Sequence, residues 1–207
     1  MANPRFTVIV PAYNRQTLLD EAVASVLGQT LSDFELIVVD DHSPIPLKVP
    51  DDPRITLLRN EANIGKSAGV NRALQKAAGE IVAFLDDDDA WGPYRLENAE
   101  RAHHLCPVAV CRQVSMGAAP VDASGGAGLH RRTERENARL EMPGHMNTVS
   151  VERSICPPFD PEFRGCEDIE WGIRLQERTS EIAVIEAPTP YGANTLGLGI
   201  ETPAVSD

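Results

Sequence analysis

Hydrophobic and polar positions alternate between two periods along the first hundred residues. Phe6-Thr7-Val8-Ile9-Val10 is a short, β-branched apolar run ended by Pro11, which predicts a strand. From Gln16 to Gly28 the period lengthens. Leu18, Leu19, Ala22, Val23, Val26 and Leu27 recur at three- and four-residue spacing, the stripe of an amphipathic helix stopped by Gly28. Phe34 to Val39 predicts a second strand, running into Asp40-Asp41-His42-Ser43. A connection holding Pro44, Pro46, Pro50 and Pro53 leads to a weaker strand, Ile55 to Arg59. Asn63-Ile64-Gly65-Lys66-Ser67 opens a helix expected to reach Ala78 and stop at Gly79. Ile81 to Leu85 then reads as a strand buried on both faces, delivering Asp86-Asp87-Asp88-Asp89 and Trp91 at its end. Further on, Tyr94 to Leu105 predicts a helix and Val108 to Val114 a strand. The pairs Ile169/Ile173 and Trp171/Leu175 predict a helix starting near Asp168.

This order of strands and helices is that of an α/β protein with a largely parallel sheet. Three of the strands end in polar clusters: Pro11 to Arg15, Asp40 to Ser43, and Asp86 to Asp89. Parallel neighbours bring such clusters to one edge. Ligands in open α/β sheets bind outside the carboxyl ends of the strands, so that edge is the expected site.

The acidic run changes the picture most. Two carboxylates about 4 Å apart repel by about 1 kcal/mol in water and by several times that near a protein surface. In an extended segment Asp86 and Asp88 point one way, Asp87 and Asp89 the other. Two oxygen ligands on one side, with room for water and phosphate, suit Mg²⁺ or Mn²⁺. A solvated acidic turn is the alternative; the position at a strand's carboxyl end favours the metal site.

Composition narrows the classes. With 207 residues, 42% of them hydrophobic, the chain can bury one substantial core. A net charge of −12 argues against a general nucleic-acid or membrane-surface binder. An acidic protein handling a phosphorylated ligand needs a cation, which agrees with the metal reading. Residues 1–6 lack a signal-peptide core, and no apolar stretch approaches a span of about 20 residues. Cys106, Cys111, Cys156 and Cys166 form no C-x-x-C pair and read as reduced thiols, so the expected location is cytoplasmic. Gly117 to Gly128 is a loop or lid by composition, and Arg131, Arg132, Arg135 and Arg139 form the basic concentration of the chain. That concentration is either a solvated face paired with Glu134, Glu136 and Glu141 or a phosphate contact. Residues 201–207 are expected to form a flexible tail.

Together these pieces resemble the inverting glycosyltransferases of family 2, which have the GT-A fold and use nucleotide sugars. The resemblance rests on Val8-Ile9-Val10-Pro11-Ala12-Tyr13-Asn14, Gln29-Thr30, and Phe34 through Ser43. It continues through Asn63-Ile64-Gly65-Lys66-Ser67-Ala68 with Asn71, and Phe84 through Trp91. Phe159-Asp160-Pro161-Glu162-Phe163 and Gly165-Cys166-Glu167-Asp168 complete it. It implies one GT-A domain over residues 1–200, with a mostly parallel, Rossmann-like sheet flanked by helices. Its nucleotide-binding part would cover about residues 1–115, and its acceptor and base part about residues 116–200.

The resemblance further implies transfer of a sugar from a nucleoside-diphosphate sugar, a UDP-sugar, to an acceptor hydroxyl, with Mg²⁺ or Mn²⁺ as cofactor. The acceptor would be a saccharide, a lipid-linked molecule or a small molecule. Pro11, Ala12 and Tyr13 would hold the base, with Asp41 accepting from a uracil-type N–H. Lys66, Asp86 and Glu167 would contact the nucleotide sugar. Asp86 with Asp88 or Asp89 would hold the metal, and Asp168 would be the general base. The chemistry is consistent, since inverting transfer needs a base and a Lewis acid but no side-chain nucleophile. No G-x-S-x-G signature is present. A carboxylate at a helix start is also an ordinary partner of the helix dipole, which lowers its basicity.

Two departures from the family pattern stand out. Val70-Asn71 replaces a common arginine–asparagine pair, and Pro190 to Thr195 carries neither Arg nor His. His145-Met146-Asn147-Thr148 lies where acceptor contacts are expected, with His145 as a candidate acceptor ligand. The rival readings are a non-catalytic nucleotide-sugar binder and a sugar-phosphate nucleotidyltransferase. The latter needs a glycine-rich loop after the first strand, where this chain has Pro11-Ala12-Tyr13-Asn14-Arg15.

Overall fold

The computed structural model describes residues 3–111, 129–132, 146–163, 165–179 and 181–185. The expected loop at Gly117 to Gly128, the Arg135 and Arg139 positions, His145, and everything after Ile185 lie outside them.

Among the described residues eight strands build one sheet: β1 (Phe6–Ala12), β2 (Phe34–Asp40), β3 (Ile55–Arg59), β4 (Ile81–Phe84), β5 (Val108–Cys111), β6 (Leu129–Arg132), β7 (Val149–Glu152) and β8 (Ile182–Ile185). Four helices accompany them among the described residues: α1 (Gln16–Leu27), α2 (Lys66–Leu74), α3 (Arg95–His103) and α4 (Glu167–Gln176). The sheet order is β3-β2-β1-β4-β7-β5-β8-β6. The half from β3 to β4 is wholly parallel, as expected. β7 departs from the expectation. It inserts antiparallel between β4 and β5, and β6 pairs antiparallel with β8, so the second half is mixed.

Alternation along β1 divides the core. Phe6, Val8 and Val10 point to one face, packed by Leu19, Val23 and Val26 of α1 and Leu96 and Ala99 of α3. Ile9 points to the other, with Ile37, Val39, Val70 and Ala73 of α2, and Trp171 and Leu175 of α4. Each of the larger of these side chains contributes about 1.5–3 kcal/mol when fully buried. Gly79 is needed where the chain returns from α2 to β4. A Cβ there would come within 2.5 Å of the Thr7 backbone nitrogen.

Phe84, at the end of β4, meets Phe159 and Trp171 edge-on, and these two rings stack on each other 5.1 Å apart. Trp171 Nε1 donates to the Pro157 carbonyl at 2.8 Å. Asn71 of α2 exchanges two hydrogen bonds with the Phe159 backbone, each 2.7 Å. These contacts fix α4 against α2 and β4, and so set where the first turn of α4 stands.

Pro11 does not end β1, which runs on to Ala12. Ile9 O accepts from Leu85 N, so Ile9 and, two residues on, Pro11 face β4; Pro11 lies past the last residue that β4 pairs. Its missing N–H therefore removes no ladder bond. α2 stops at Leu74 rather than Ala78, with two further turn-type hydrogen bonds to Ala73 O beyond it. Nor is the acidic run extended. Asp89 N donates to Asp86 O at 3.1 Å, closing a turn with Asp87 and Asp88 at its corner. The alternating placement of the four carboxylates is overturned.

Candidate active site

The carboxyl ends of β1, β2 and β4 converge on a cleft of about 210 Å³. The end of β1 supplies Pro11 and Ala12 to its wall, and the loop after it Tyr13 and Arg15. β2 contributes Asp41, the start of α2 contributes Lys66, and the acid turn contributes Asp86, Asp87 and Asp88. Tyr13 is 45% exposed, an aromatic face open to a ligand. Asn14 takes a left-handed conformation (φ 56°), and its N–H donates to Ser43 Oγ at 2.9 Å, which locks the loop beside β2.

The two aspartates closing β2 have different tasks. Asp40 is fully buried, accepts the Ser43 and Leu47 N–H groups, and pairs with Arg59. Burial would raise its pKa, but these hydrogen bonds outweigh it and hold it below the ordinary value. Asp41 grips the loop before α2: Oδ1 accepts from Asn60 Nδ2 (2.8 Å) and Ile64 N (2.9 Å), and Oδ2 from Gly65 N (2.8 Å). One lone pair of Oδ2 is left over for a ligand N–H. Gly65 has φ +88°, a conformation that favours glycine, and this lets its N–H reach Asp41.

In the acid turn each carboxylate meets a protein partner. Lys66 Nζ lies 2.5 Å from Asp86 Oδ1. Arg15 spans the next two, with Nε 3.1 Å from Asp87 Oδ2 and Nη2 closing a second contact to Asp87, while Nη1 reaches Asp88 Oδ2 at 2.8 Å. Asp89 is buried outside the cleft and accepts from Asn147 Nδ2. Asn147 Oδ1 in turn accepts from Asp86 N at 2.8 Å. The Asp87 side chain is only 1% exposed, and burial pushes its carboxyl up to about 6 against the opposing field of Arg15, with Asp88 adding to the rise.

A second cleft of about 150 Å³ adjoins the first and shares Lys66 with it. Phe163, Gly165 and Glu167 line its far side. Lys66 Nζ is 3.9 Å from Glu167 Oε1. Burial pulls the Lys66 pKa down, but Asp86 above all, then Glu167 and Asp168, more than offset it and raise the value. Asp168 is thus within electrostatic range of the same ammonium. It sits half-buried in the first turn of α4, and its Oδ1 accepts from Ile169 N at 2.9 Å. Cys166 precedes α4 in a left-handed conformation (φ 62°), and no side chain caps the helix.

Most of the expected site residues come together. Pro11, Ala12, Tyr13, Asp41, Lys66, Asp86 and Asp88 share one cleft; Glu167 and Asp168 stand across Lys66 from it; Asp89 stands apart. Among the described residues no group of three or more His, Cys, Asp or Glu side chains is placed to hold a metal ion. The donor set still suits Mg²⁺ or Mn²⁺. Asp86 and Asp88 side chains are 22% and 29% exposed at the cleft, and a hard cation takes one or two carboxylates with phosphate oxygens and water. Sequence reasoning placed Arg15 and Asn147 in site segments but missed their contacts with the acid turn. For Arg15 a signal existed: a cation in the loop after β1, beside the strand that ends in four acids.

Residues 7–114, just over half of the 207-residue chain, match Glycosyl transferase family 2. The chain is 41% identical over 95 residues to UDP-Glc:alpha-D-GlcNAc-diphosphoundecaprenol beta-1,3-glucosyltransferase WfgD of Escherichia coli, covering 44% of this chain and 38% of that protein. It is 42% identical over 93 residues to GalNAc(5)-diNAcBac-PP-undecaprenol beta-1,3-glucosyltransferase of Campylobacter jejuni, covering 42% of this chain and 30% of that one. It therefore spans about a third of the length of the curated relatives it matches. In fold it is similar to S. aureus TarS 1–349 solved in complex with UDP-GlcNAc, with a TM-score of 0.74 and 23% identity over 91% of this chain and 58% of that one. With more than half of it matched by that family's model, the chain belongs to glycosyl transferase family 2.

Proposed function

We propose that this chain carries the donor-binding and base-bearing part of an inverting, metal-dependent glycosyltransferase that moves a sugar from a UDP-sugar to an acceptor hydroxyl in the cytoplasm. The observation that carries the reading is the joining, through Lys66, of a cleft lined by Tyr13, Asp41 and the acid turn to the first turn of α4. Tyr13 offers a face for the base to stack on, and the free lone pair of Asp41 an acceptor for its N–H. Asp86 and Asp88 would hold the cation, which when bound offsets the charge on the departing diphosphate. Lys66 keeps Asp86 oriented and lends positive charge at the junction of the two clefts. Asp168 takes the proton from the acceptor hydroxyl as that oxygen attacks the anomeric carbon. Its half-buried position, within electrostatic range of Lys66, supports that role. Glu167, lining the second cleft beside Phe163, is placed to accept from sugar hydroxyls.

UDP is favoured because similar folds were solved with UDP and UDP-GlcNAc. A lipid-linked saccharide is favoured as acceptor because the relatives named above act on undecaprenyl diphosphate-linked sugars. The decisive experiment is a thermal-shift screen of nucleotide sugars with and without Mn²⁺, followed by transfer assays with the best donor. A Mn²⁺-dependent rise in melting temperature with UDP and its sugars is expected. Stabilisation by a nucleoside triphosphate instead, with none by UDP, would move the protein to nucleotidyl transfer, and tight donor binding without turnover would leave it a binder.

A further inference from the structure

Arg15 has no role assigned above beyond its contacts with the acid turn, and its geometry is unequal. Toward Asp87 it makes a two-pronged pair with a carboxylate that is 1% exposed, the arrangement in which an arginine–carboxylate contact is strongest. Toward Asp88 it makes a single 2.8 Å contact, and both side chains there are partly exposed, 46% and 29%. Such a contact contributes little and exchanges readily. Arg15 is thus anchored by the buried Asp87 and able to change partner at the more exposed Asp88, and Arg15 and Asp88 both line the cleft.

We infer that Arg15 is the cation that grips the donor diphosphate, positioned by Asp87 and held in waiting by Asp88. The inference rests on the nucleotide-sugar reading of this cleft. Were Asp88 to take a divalent ion as partner, Nη1 would lose its carboxylate contact, and a phosphate oxygen in the cleft would be the acceptor of matching charge. No bond is made or broken in this exchange; one hydrogen bond replaces another. Asp87 stays fixed to Arg15 throughout, which accounts for a buried carboxylate at the corner of the turn with no ligand role of its own. Arg15 also lies in the one place where the described part of this acidic chain supplies a guanidinium to the cleft.

The test is calorimetric titration of uridine, UDP and GDP, with Mn²⁺ present, into the wild-type chain and Arg15→Gln. UDP affinity is expected to fall roughly tenfold or more in Arg15→Gln while uridine affinity holds. The salt dependence of UDP binding should flatten as well. Should Arg15→Gln fail to fold because Asp87 loses its partner, the double variant Arg15→Gln/Asp87→Asn makes the pair neutral and takes its place. Equal weakening of uridine and UDP, or no weakening of UDP, overturns the role of Arg15 while leaving the cleft a nucleotide site. A wild-type chain that binds neither UDP nor GDP overturns the nucleotide-sugar reading and this inference with it.

Discussion

The acid turn after β4 and the first turn of α4 approach the same lysine, but they treat charge differently. In the turn every carboxylate is met by a partner from the protein: Lys66 on Asp86, Arg15 on Asp87 and Asp88, Asn147 on Asp89. At the start of α4, among the described residues, Asp168 accepts only the N–H of Ile169, and Glu167 accepts the Gly165 N–H at 3.1 Å and stands 3.9 Å from Lys66. Charges held by protein partners pre-organise a binding site, because little beyond the exposed Arg15–Asp88 contact has to change when the ligand arrives. A group that must take up and release a proton does better with few ties. The turn therefore suits holding a ligand and the helix start suits acting on it.

The largest expected effect tests that division directly. Asp168→Asn should lower kcat by about 10³-fold, within the range for loss of a general base, and leave UDP affinity within a factor of two. Parallel loss of donor affinity and kcat would show that the helix start binds rather than reacts, and the comparison would collapse.

Next comes a pH effect that must be separated from that of the base. His103 of α3 is buried at the opposite end of the sheet, with its Nε2 3.0 Å from Ser150 Oγ. Burial, with Arg95 and Arg5 adding to it, pushes this imidazole down to about 3 from an ordinary 6.5. In the window between these values the unfolded chain takes up a proton that the folded chain refuses. Stability from this group is complete above about pH 6.5 and declines as pH falls, by about 2 kcal/mol at pH 5. Urea titrations of the wild-type chain and His103→Gln at pH 7 and pH 5 measure the difference. If the variant loses as much stability as wild type, acid sensitivity lies elsewhere. An acid limb in the activity profile is then harder to assign to Asp168.

Smaller again is the contribution of the aromatic cluster that sets the helix start. Trp171→Phe removes the indole donor to Pro157 O (2.8 Å) and part of the stack on Phe159. It should cost about 1–2 kcal/mol in chemical denaturation. It should also lower kcat more than UDP affinity, because α4 moves while the acid turn does not. Equal effects on both would mean that the two regions are not independently placed.

What the sequence disclosed follows the same division. The parallel half was legible because its signals are local: the runs Phe34 to Val39 and Ile81 to Leu85 and the helical stripe from Leu18 to Leu27 need no partner to be recognised. The continuation of β1 through Pro11 was not, since it depends on β4 ending one step earlier. β7, four residues inserted between β4 and β5, is fixed by long-range pairing, and its own pattern is too short to announce it. Tyr13, Asp41 and Asp86 were readable from the order of motifs. Arg15 and Asn147 act through contacts 72 and 58 residues away in sequence; the charge of Arg15 hinted at its contact, while that of Asn147 needs the folded register.

Lys66 belongs to both regions, and the smallest expected effect decides which one owns it. Its contact with Asp86 is 2.5 Å and that with Glu167 is 3.9 Å, with every side chain involved partly exposed. Screening keeps such pairs at or below about 1 kcal/mol, and the longer one should contribute only a few tenths. Double-mutant cycles of Lys66→Met with Asp86→Asn and with Glu167→Gln, read by urea denaturation, separate the two couplings. The Asp86 coupling should be the larger, and it should shrink when Mn²⁺ and UDP are added, since Asp86 then shares its charge with the ligand. If Glu167 couples more strongly, the ammonium serves the helix start instead. One carboxylate of the turn would then lack a fixed partner, and pre-organisation there would rest on Arg15 and Asn147 alone.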